Sequence, residues 1–377
     1  MNPTLHVLFL FQTAEHVRFC KRVELLMHKG ITAEVLAFER QAYPGKSINC
    51  KYSSLGVIKH QNYCKRIIPF ISALKKIRAG AKNNDLVYAF GLDMLLLGWI
   101  VTLGISKGLV YEVGDIREVL LGQGLKHKFF RLLERFLLNR TSLLVITSKA
   151  YLDEYYYKIQ GLSRINHIVI ENKLDRNWLI NLAPKEKETE GSSGLIIGYF
   201  GVLRCMRSWE ILKTAAEKSG GVFQVYLRGI SRDINLQVEA NHELVTYAGP
   251  YLAPDDLPAI YGKVNLVWAC YPYQGNKAGN WQWAKTVRFY ESCYFKKPLI
   301  VQAGTEDSKL VEKYDLGLIV DMNEGVEKVV HQVLAITRSD LERWKKNMDN
   351  VPPEVYLYTD EHDRLAELLQ TQAEVGR

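Results

Sequence analysis

At 377 residues the chain exceeds the size at which a single hydrophobic core keeps growing, so two domains are expected. A hydrophobic content of 47% and a charged content of 24% are ordinary for a soluble globular protein; the six scattered cysteines, with no C-x-x-C pair, argue against a zinc site or a disulfide framework and fit a reducing cytoplasm. The net charge of +8 is unevenly placed, with 26 Lys and Arg against 14 Asp and Glu in residues 1–180 and 23 against 27 in residues 181–377. The first half is therefore expected to face something anionic. No recognised nucleic-acid motif is present, and a cytoplasmic membrane leaflet or a lipid-pyrophosphate acceptor within it accounts for the bias.

The chain opens without a cationic leader and runs directly into an apolar strand at 6–11, so no signal peptide is expected. A helix over 17–29, apolar at Val23, Leu26 and Met27 and stopped by Gly30, leads to a second strand at 31–38. This strand–helix–strand order predicts a right-handed βαβ unit and a parallel sheet. Residues 61–82 are basic and partly apolar, and Lys126, Lys128, Arg131, Arg135 and Arg140 form a second such patch. Each reads either as a solvated helix face or as a surface where cations meet anionic headgroups while apolar side chains dip in.

Further strands are expected at 85–90, 109–113, 143–148 and 167–173, with Ser148 as a helix N-cap. The apolar run 94–105 is too short to cross a bilayer and reads as a buried helix. Ligands of open α/β sheets bind outside the carboxyl ends of the strands, which makes Asp93, Asp115 and Arg117 candidates for chemistry. Glu112, in mid-strand, is the rival whose side chain is expected to enter the sheet packing. Residues 183–194 are charged and then Gly/Ser-rich, the composition of a domain linker.

The second half opens on a strand, a turn at Gly201 and a helix with Ser208 as N-cap, and Arg204 and Arg207 flank that turn. A helix N-terminus with nearby cations is a ready site for a phosphate. Strands are expected at 223–229, 244–251 and 264–270. Asp255-Asp256 reads as a helix start, and no D-x-D metal motif occurs. The loop 271–283 mixes aromatics, amides and glycines, as sites for sugar rings do, and Asn280 falls in it. A helix over 284–297 carries Lys285, Arg288 and Glu291 and ends before Pro298 and a short strand. A last strand at 316–321, helices, a break at 351–353 and a final helix at 363–372 complete the chain.

These motifs resemble those of nucleotide-sugar glycosyltransferases of the GT-B fold, most closely the family-four-like enzymes of bacterial surface polysaccharide assembly. The Glu291–Pro298 spacing matches the Glu seven residues before the Pro of a G-K-P-V-I-like turn, and Arg288 takes the basic position three residues earlier. The 201–207 turn resembles the donor-phosphate turn "G-x-L-x-x-x-K-G", and 143–148 with 167–173 resembles the pair that closes the first domain. The resemblance implies an α/β GT-B fold of two Rossmann-like domains with parallel sheets facing across a cleft. The expected domains are 1–182 for the acceptor, a 183–194 linker, 195–350 for the donor, and 351–377 crossing back to the first.

It further implies a transferase moving sugar from a nucleoside diphosphate sugar, UDP-sugar by expectation, to a lipid-linked oligosaccharide or polysaccharide acceptor. No metal or other cofactor is expected. Arg204, Arg207, Lys285, Arg288, Glu291 and Tyr251 are expected to hold the nucleotide, and Asp93, Arg117 and Asn280 the acceptor. Retaining family-four enzymes carry an earlier Glu eight residues before the ribose Glu. Trp283 stands there, so inversion is expected, with Asp115 as general base, as inverting relatives such as the xanthan glucuronosyltransferase use an Asp. The protein is expected in the cytoplasm, peripherally on the inner face of the membrane. The alternatives are another GT-B reaction, a soluble-acceptor transferase or sugar-nucleotide epimerase, and a non-catalytic nucleotide-binding protein.

Overall fold

A computed structural model describes residues 4–14, 17–39, 49–58, 66–179, 194–231, 243–271 and 279–375. The chain divides into two compact units, Met1–Glu171 with Thr359–Arg377, and Asn172–Tyr358.

In the first unit the strands are β1 His6–Phe11, β2 Thr32–Glu39, β3 Lys51–Val57, β4 Leu86–Phe90, β5 Gly108–Val113, β6 Leu143–Ile146 and β7 His167–Val169. Among the described residues they form one parallel sheet in the order β3-β2-β1-β4-β5-β6-β7. The central strands are continuous apolar runs because both faces are covered: every residue of β4 is buried. β3 is the exception, an edge strand of sequence KYSSLGV whose polar side chains are largely exposed. The crossover helices are α1 Val17–His28, α2 Ile67–Asn83, α3 Leu92–Thr102, and the pair α4 Glu118–Leu121 and α5 Leu125–Leu138. The strand order reverses between β1 and β4. Right-handed connections therefore put α1 on one face of the sheet and α2, α3 and α5 on the other. A π-helix, Tyr151–Ile159, follows β6, and the helix Glu361–Val375 returns from the chain end to pack beside α1.

In the second unit, after the short helix α6 Arg176–Leu179, β8 Leu195–Leu203, β9 Phe223–Ser231, β10 Val245–Tyr247, β11 Leu266–Trp268, β12 Leu299–Gln302 and β13 Gly317–Val320 form a parallel sheet in the order β10-β9-β8-β11-β12-β13. Its reversal falls between β8 and β11. In doubly wound sheets a crevice for ligands opens at the carboxyl ends of the strands at such a point.

Three expectations need correction. The first unit ends at Glu171 rather than 182, because Leu174 bridges to Leu357 and both are buried in the second unit with Leu179. For the same reason residues 351–358 belong to the second unit, and the part grouped with the first begins at Thr359. The expected linker lies outside the described residues except for Gly194. Finally, Cys205 caps the helix α7 Met206–Lys218, its Sγ accepting from the Ser208 N–H, so Ser208 sits buried inside the first turn.

Candidate functional site

The carboxyl edge of the second sheet is built around the helix Val287–Phe295. Thr286 caps it, its hydroxyl accepting from the Phe289 N–H at 3.2 Å. The helix ends at Phe295, where Lys296 adopts the left-handed conformation usually left to glycine (φ 54°) and anchors its Nζ on the Met348 carbonyl at 2.8 Å.

Arg288 lies in the first turn. Its Nη1 donates to the Phe200 carbonyl at 2.7 Å and its Nη2 to the Cys270 carbonyl at 3.0 Å. The guanidinium thus ties the end of β8 to the chain leaving β11, while its Nε is buried and meets no hydrogen-bond acceptor among the described residues. The space beside it depends on glycine: Gly201 has φ +105°, and a Cβ at Gly229 would stand 1.8 Å from the Gly201 carbonyl oxygen.

Glu291, one turn later, is buried and accepts the Tyr261 hydroxyl at 2.7 Å. The Tyr261 ring is stacked on Phe295 with centroids 4.7 Å apart, so a packed aromatic sets the carboxylate's orientation. Burial and the Glu291 charge raise the Tyr251 phenol, with Arg288 opposing, which groups Tyr251, Arg288 and Glu291. Burial pushes the Tyr199 phenol up to about 12 against the charges of Arg288 and Arg204. Lys285, just before the cap, joins through Asp307. That buried carboxylate accepts the Thr286 N–H at 3.1 Å, and burial raises it to about 7 against the charges of Lys285 and Arg288.

Five of the six residues expected at the nucleotide are thereby linked to one cluster. Arg207 stands on the first turn of α7. Asn280 opens the short helix Asn280–Trp283 and donates to the Tyr271 hydroxyl at 3.3 Å, in the second unit, whereas Asp93 and Arg117 belong to the first. Tyr199, Tyr261 and Asp307 were not singled out from the sequence. Only Asp307 carried a signal, a carboxylate just inside the T-x-x-S capping box of the helix Glu306–Tyr314.

At the carboxyl edge of the first sheet, Asp115 follows β5 with its carboxylate half exposed, 3.7 Å from Arg18. The Gly114 carbonyl accepts from Thr147 at 2.9 Å, which fixes the turn before Asp115, and Arg18 Nη1 occupies the space a Cβ at Gly114 would enter. Asp93 and Arg117 are brought together at 3.1 Å, and Gln12 and Arg66 also converge on Asp93. Glu112 lies fully buried between Arg22, bound through both of its oxygens, and the Tyr88 hydroxyl at 2.6 Å, with His362 on the far side of Arg22. A carboxylate so enclosed is charge-paired inside the unit and faces no solute.

Two doubly wound parallel units make up the GT-B fold. Among solved structures, Anabaena Alr3699/HepE in complex with UDP and glucose superposes with a TM-score of 0.69 at 16% identity, over 97% of this chain and 100% of that one. Sucrose-phosphate synthase from Thermosynechococcus elongatus does so at 0.67 and 14%, over 98% and 100%. In sequence, the succinoglycan biosynthesis protein ExoL of Rhizobium meliloti (strain 1021) is 26% identical over 331 residues, 84% of this chain and 81% of that protein. No family model matches the chain.

Proposed function

We propose that this protein is a glycosyltransferase that moves a sugar from a UDP-sugar to a growing surface polysaccharide. The observation that carries the reading is the Arg288–Glu291 pair at the switch point of the second sheet, in a fold shared with a UDP-bound glycosyltransferase-fold neighbour and a sequence related to a succinoglycan biosynthesis protein. Glu291, oriented by Tyr261, accepts from the ribose hydroxyls, and Tyr251 lies against the nucleotide. Arg204, Arg207, Lys285 and Arg288 surround the pyrophosphate. Their fixed charges stabilise the diphosphate as it departs, which is where transition-state charge accumulates, and the reading assigns no role to a metal.

The acceptor in this reading is lipid-linked and met at the inner face of the membrane, with Asp93, Arg117 and Asn280 contributing to its binding. Its hydroxyl oxygen attacks the anomeric carbon from the face opposite the leaving group. The bond from that carbon to the diphosphate oxygen breaks, and the hydroxyl proton passes to Asp115, giving inversion. Glu291→Ala is expected to weaken UDP binding at least tenfold in calorimetry; unchanged affinity would remove Glu291 from the ribose. Chromatography of the products separates transfer from epimerisation, since only transfer leaves the sugar on the acceptor.

A further inference from the structure

We propose that helix α5 of the first unit is a membrane-insertion surface: its outward stripe Leu125, Phe129 and Leu132, flanked by Lys126 and Lys128, enters the interface of an anionic lipid bilayer. The inference deepens the reading of a lipid-linked acceptor and rests on it only for its purpose, since the surface itself is seen without reference to any substrate.

Leu125, Phe129, Leu132 and Phe136 recur at intervals of four, three and four residues, a single helical face. Such a stripe ordinarily packs inward. Here the four side chains are 85%, 61%, 64% and 39% exposed, while Leu137 and Leu138 meet the core. The decline along the stripe has a cause: Phe136 packs edge-on against Trp99 of α3 at 5.2 Å and lies under the Arg140 guanidinium at 3.7 Å. The amino-terminal end of the stripe is therefore its open end.

The exposed charges of α5 itself have one sign. Lys126, Lys128, Arg135 and Arg140 are exposed, whereas Glu134, the sole acidic residue of α5, is buried beneath the helix. There it accepts from Tyr111, Tyr155 and Gln160. No carboxylate of α5 faces outward to repel a lipid phosphate. The neighbouring surface repeats the pattern. α3 packs against both α5 and α2, and α2 opens with exposed Ile67, Ile68 and Ile71, then exposed Lys75 and Lys76. Crossover helices begin at the carboxyl edge of their sheet, so both apolar tips lie toward the edge at which Asp115 follows β5. A bilayer docked on them would present lipid headgroups to that edge.

A second copy of the chain fits the surface less well. A two-fold contact through the α5 stripe sets two faces against each other whose exposed charges, Lys126, Lys128, Arg135 and Arg140, are all cationic. An anionic bilayer instead takes the lysines and the apolar tips together.

The test is co-sedimentation of the full chain, without nucleotide, with vesicles of phosphatidylcholine alone or mixed with phosphatidylglycerol. Binding is expected only to the mixed vesicles. Lys126→Glu with Lys128→Glu should weaken it by more than roughly 25-fold, about fivefold for each cation lost, with the repulsion of the two new carboxylates added to that. The triple variant Leu125→Ser, Phe129→Ser, Leu132→Ser should also weaken it more than about tenfold, which a purely electrostatic attraction would not give. Unchanged circular dichroism and UDP affinity of the variants show that fold and donor site survive. Absence of wild-type binding to the mixed vesicles, or full binding by the triple variant, overturns the proposal whatever the UDP result. A wild-type dimer in light scattering that the triple variant converts to monomer overturns it in favour of a contact between copies.

Discussion

Asp307 is a carboxylate kept from water by its surroundings and answered chiefly by one backbone N–H and two neighbouring cations. Burial raises it from the ordinary carboxylate value to about 7, so between pH 4 and 7 the folded protein holds a proton that the unfolded chain has released. Stability from this group is thus present at low pH and lost as pH rises toward 7, with a slope of at most about 1.4 kcal/mol per pH unit. Asp307→Asn keeps an acceptor for the Thr286 N–H and removes the titration. Denaturant melts of the two proteins from pH 4.5 to 7.5 should therefore diverge in the variant's favour as pH rises. A bound diphosphate would also draw on Lys285 and Arg288, the cations that hold Asp307 down. UDP binding near pH 7 is then expected to take up protons, visible as a calorimetric enthalpy that varies with the buffer. Asp115→Asn makes the complementary case: turnover is expected to fall roughly 10²- to 10⁴-fold with UDP affinity kept, and a product that retains the donor's anomeric configuration would exclude the role. The Glu291–Pro298 spacing is local and can be read at this scale. Asp307, 21 residues from its partner Thr286, and Arg18, far from Asp115 in sequence, act through the fold, and spacing alone does not reveal them.

The turn after the helix Val287–Phe295 shows how an element tolerates a residue its backbone disfavours. Lys296 holds φ 54°, and its side chain compensates through the Met348 carbonyl and Asp349. Replacing it by Ala or by Gly removes those contacts equally, so the difference between the two variants isolates the backbone. Lys296→Gly is expected to be more stable than Lys296→Ala by about 1 kcal/mol in chemical denaturation. Elements whose residues agree with their environment were legible: β1, β4 and β5 are apolar runs, and the sheet buries them on both faces. β3 was not, because an edge strand needs no apolar face and its Lys-Tyr-Ser-Ser sequence resembles a loop. Nor was the π-helix Tyr151–Ile159, whose register is sustained by tertiary partners: Tyr155 and Tyr156 reach the buried Glu134, 21 and 22 residues back in the chain.

For the whole molecule, composition located a break in the chain near residues 183–194, but packing placed the unit boundary at Glu171/Asn172. Composition records where the chain has little to bury; Leu174 and Leu179 lie before that break and are nonetheless held by the second unit. The end of the chain belongs to the first unit, where the helix Glu361–Val375 buries Leu365, Leu369 and Ala373 and brings His362 to Arg22. Burial, with the charge of Arg22 adding to it, lowers His362 to about 2, so it stays neutral throughout the physiological range and accepts from the guanidinium. A chain ended after Tyr358 is expected to lose the first unit's cooperative melting transition in calorimetry while the second unit's transition persists. Loss of both transitions together would mean that the units do not unfold separately.

Because the first unit is closed by the last helix, the order of synthesis and the order of folding cannot coincide. When the ribosome has made residue 171, the residues of every strand of the first sheet, of the Arg22–Glu112 pair and of the crossover helices have been synthesised, but the helix that packs beside α1, β4 and β5 has not. About 190 further residues must be translated before that helix begins to form, roughly ten to forty seconds at ordinary elongation rates. Throughout that interval the second unit, contiguous in the chain, is free to complete itself. Until then the partners of Leu365, Leu369 and Ala373 in the first unit stay uncovered, and a stop codon between 359 and 375 removes a layer from a unit whose other residues were translated long before.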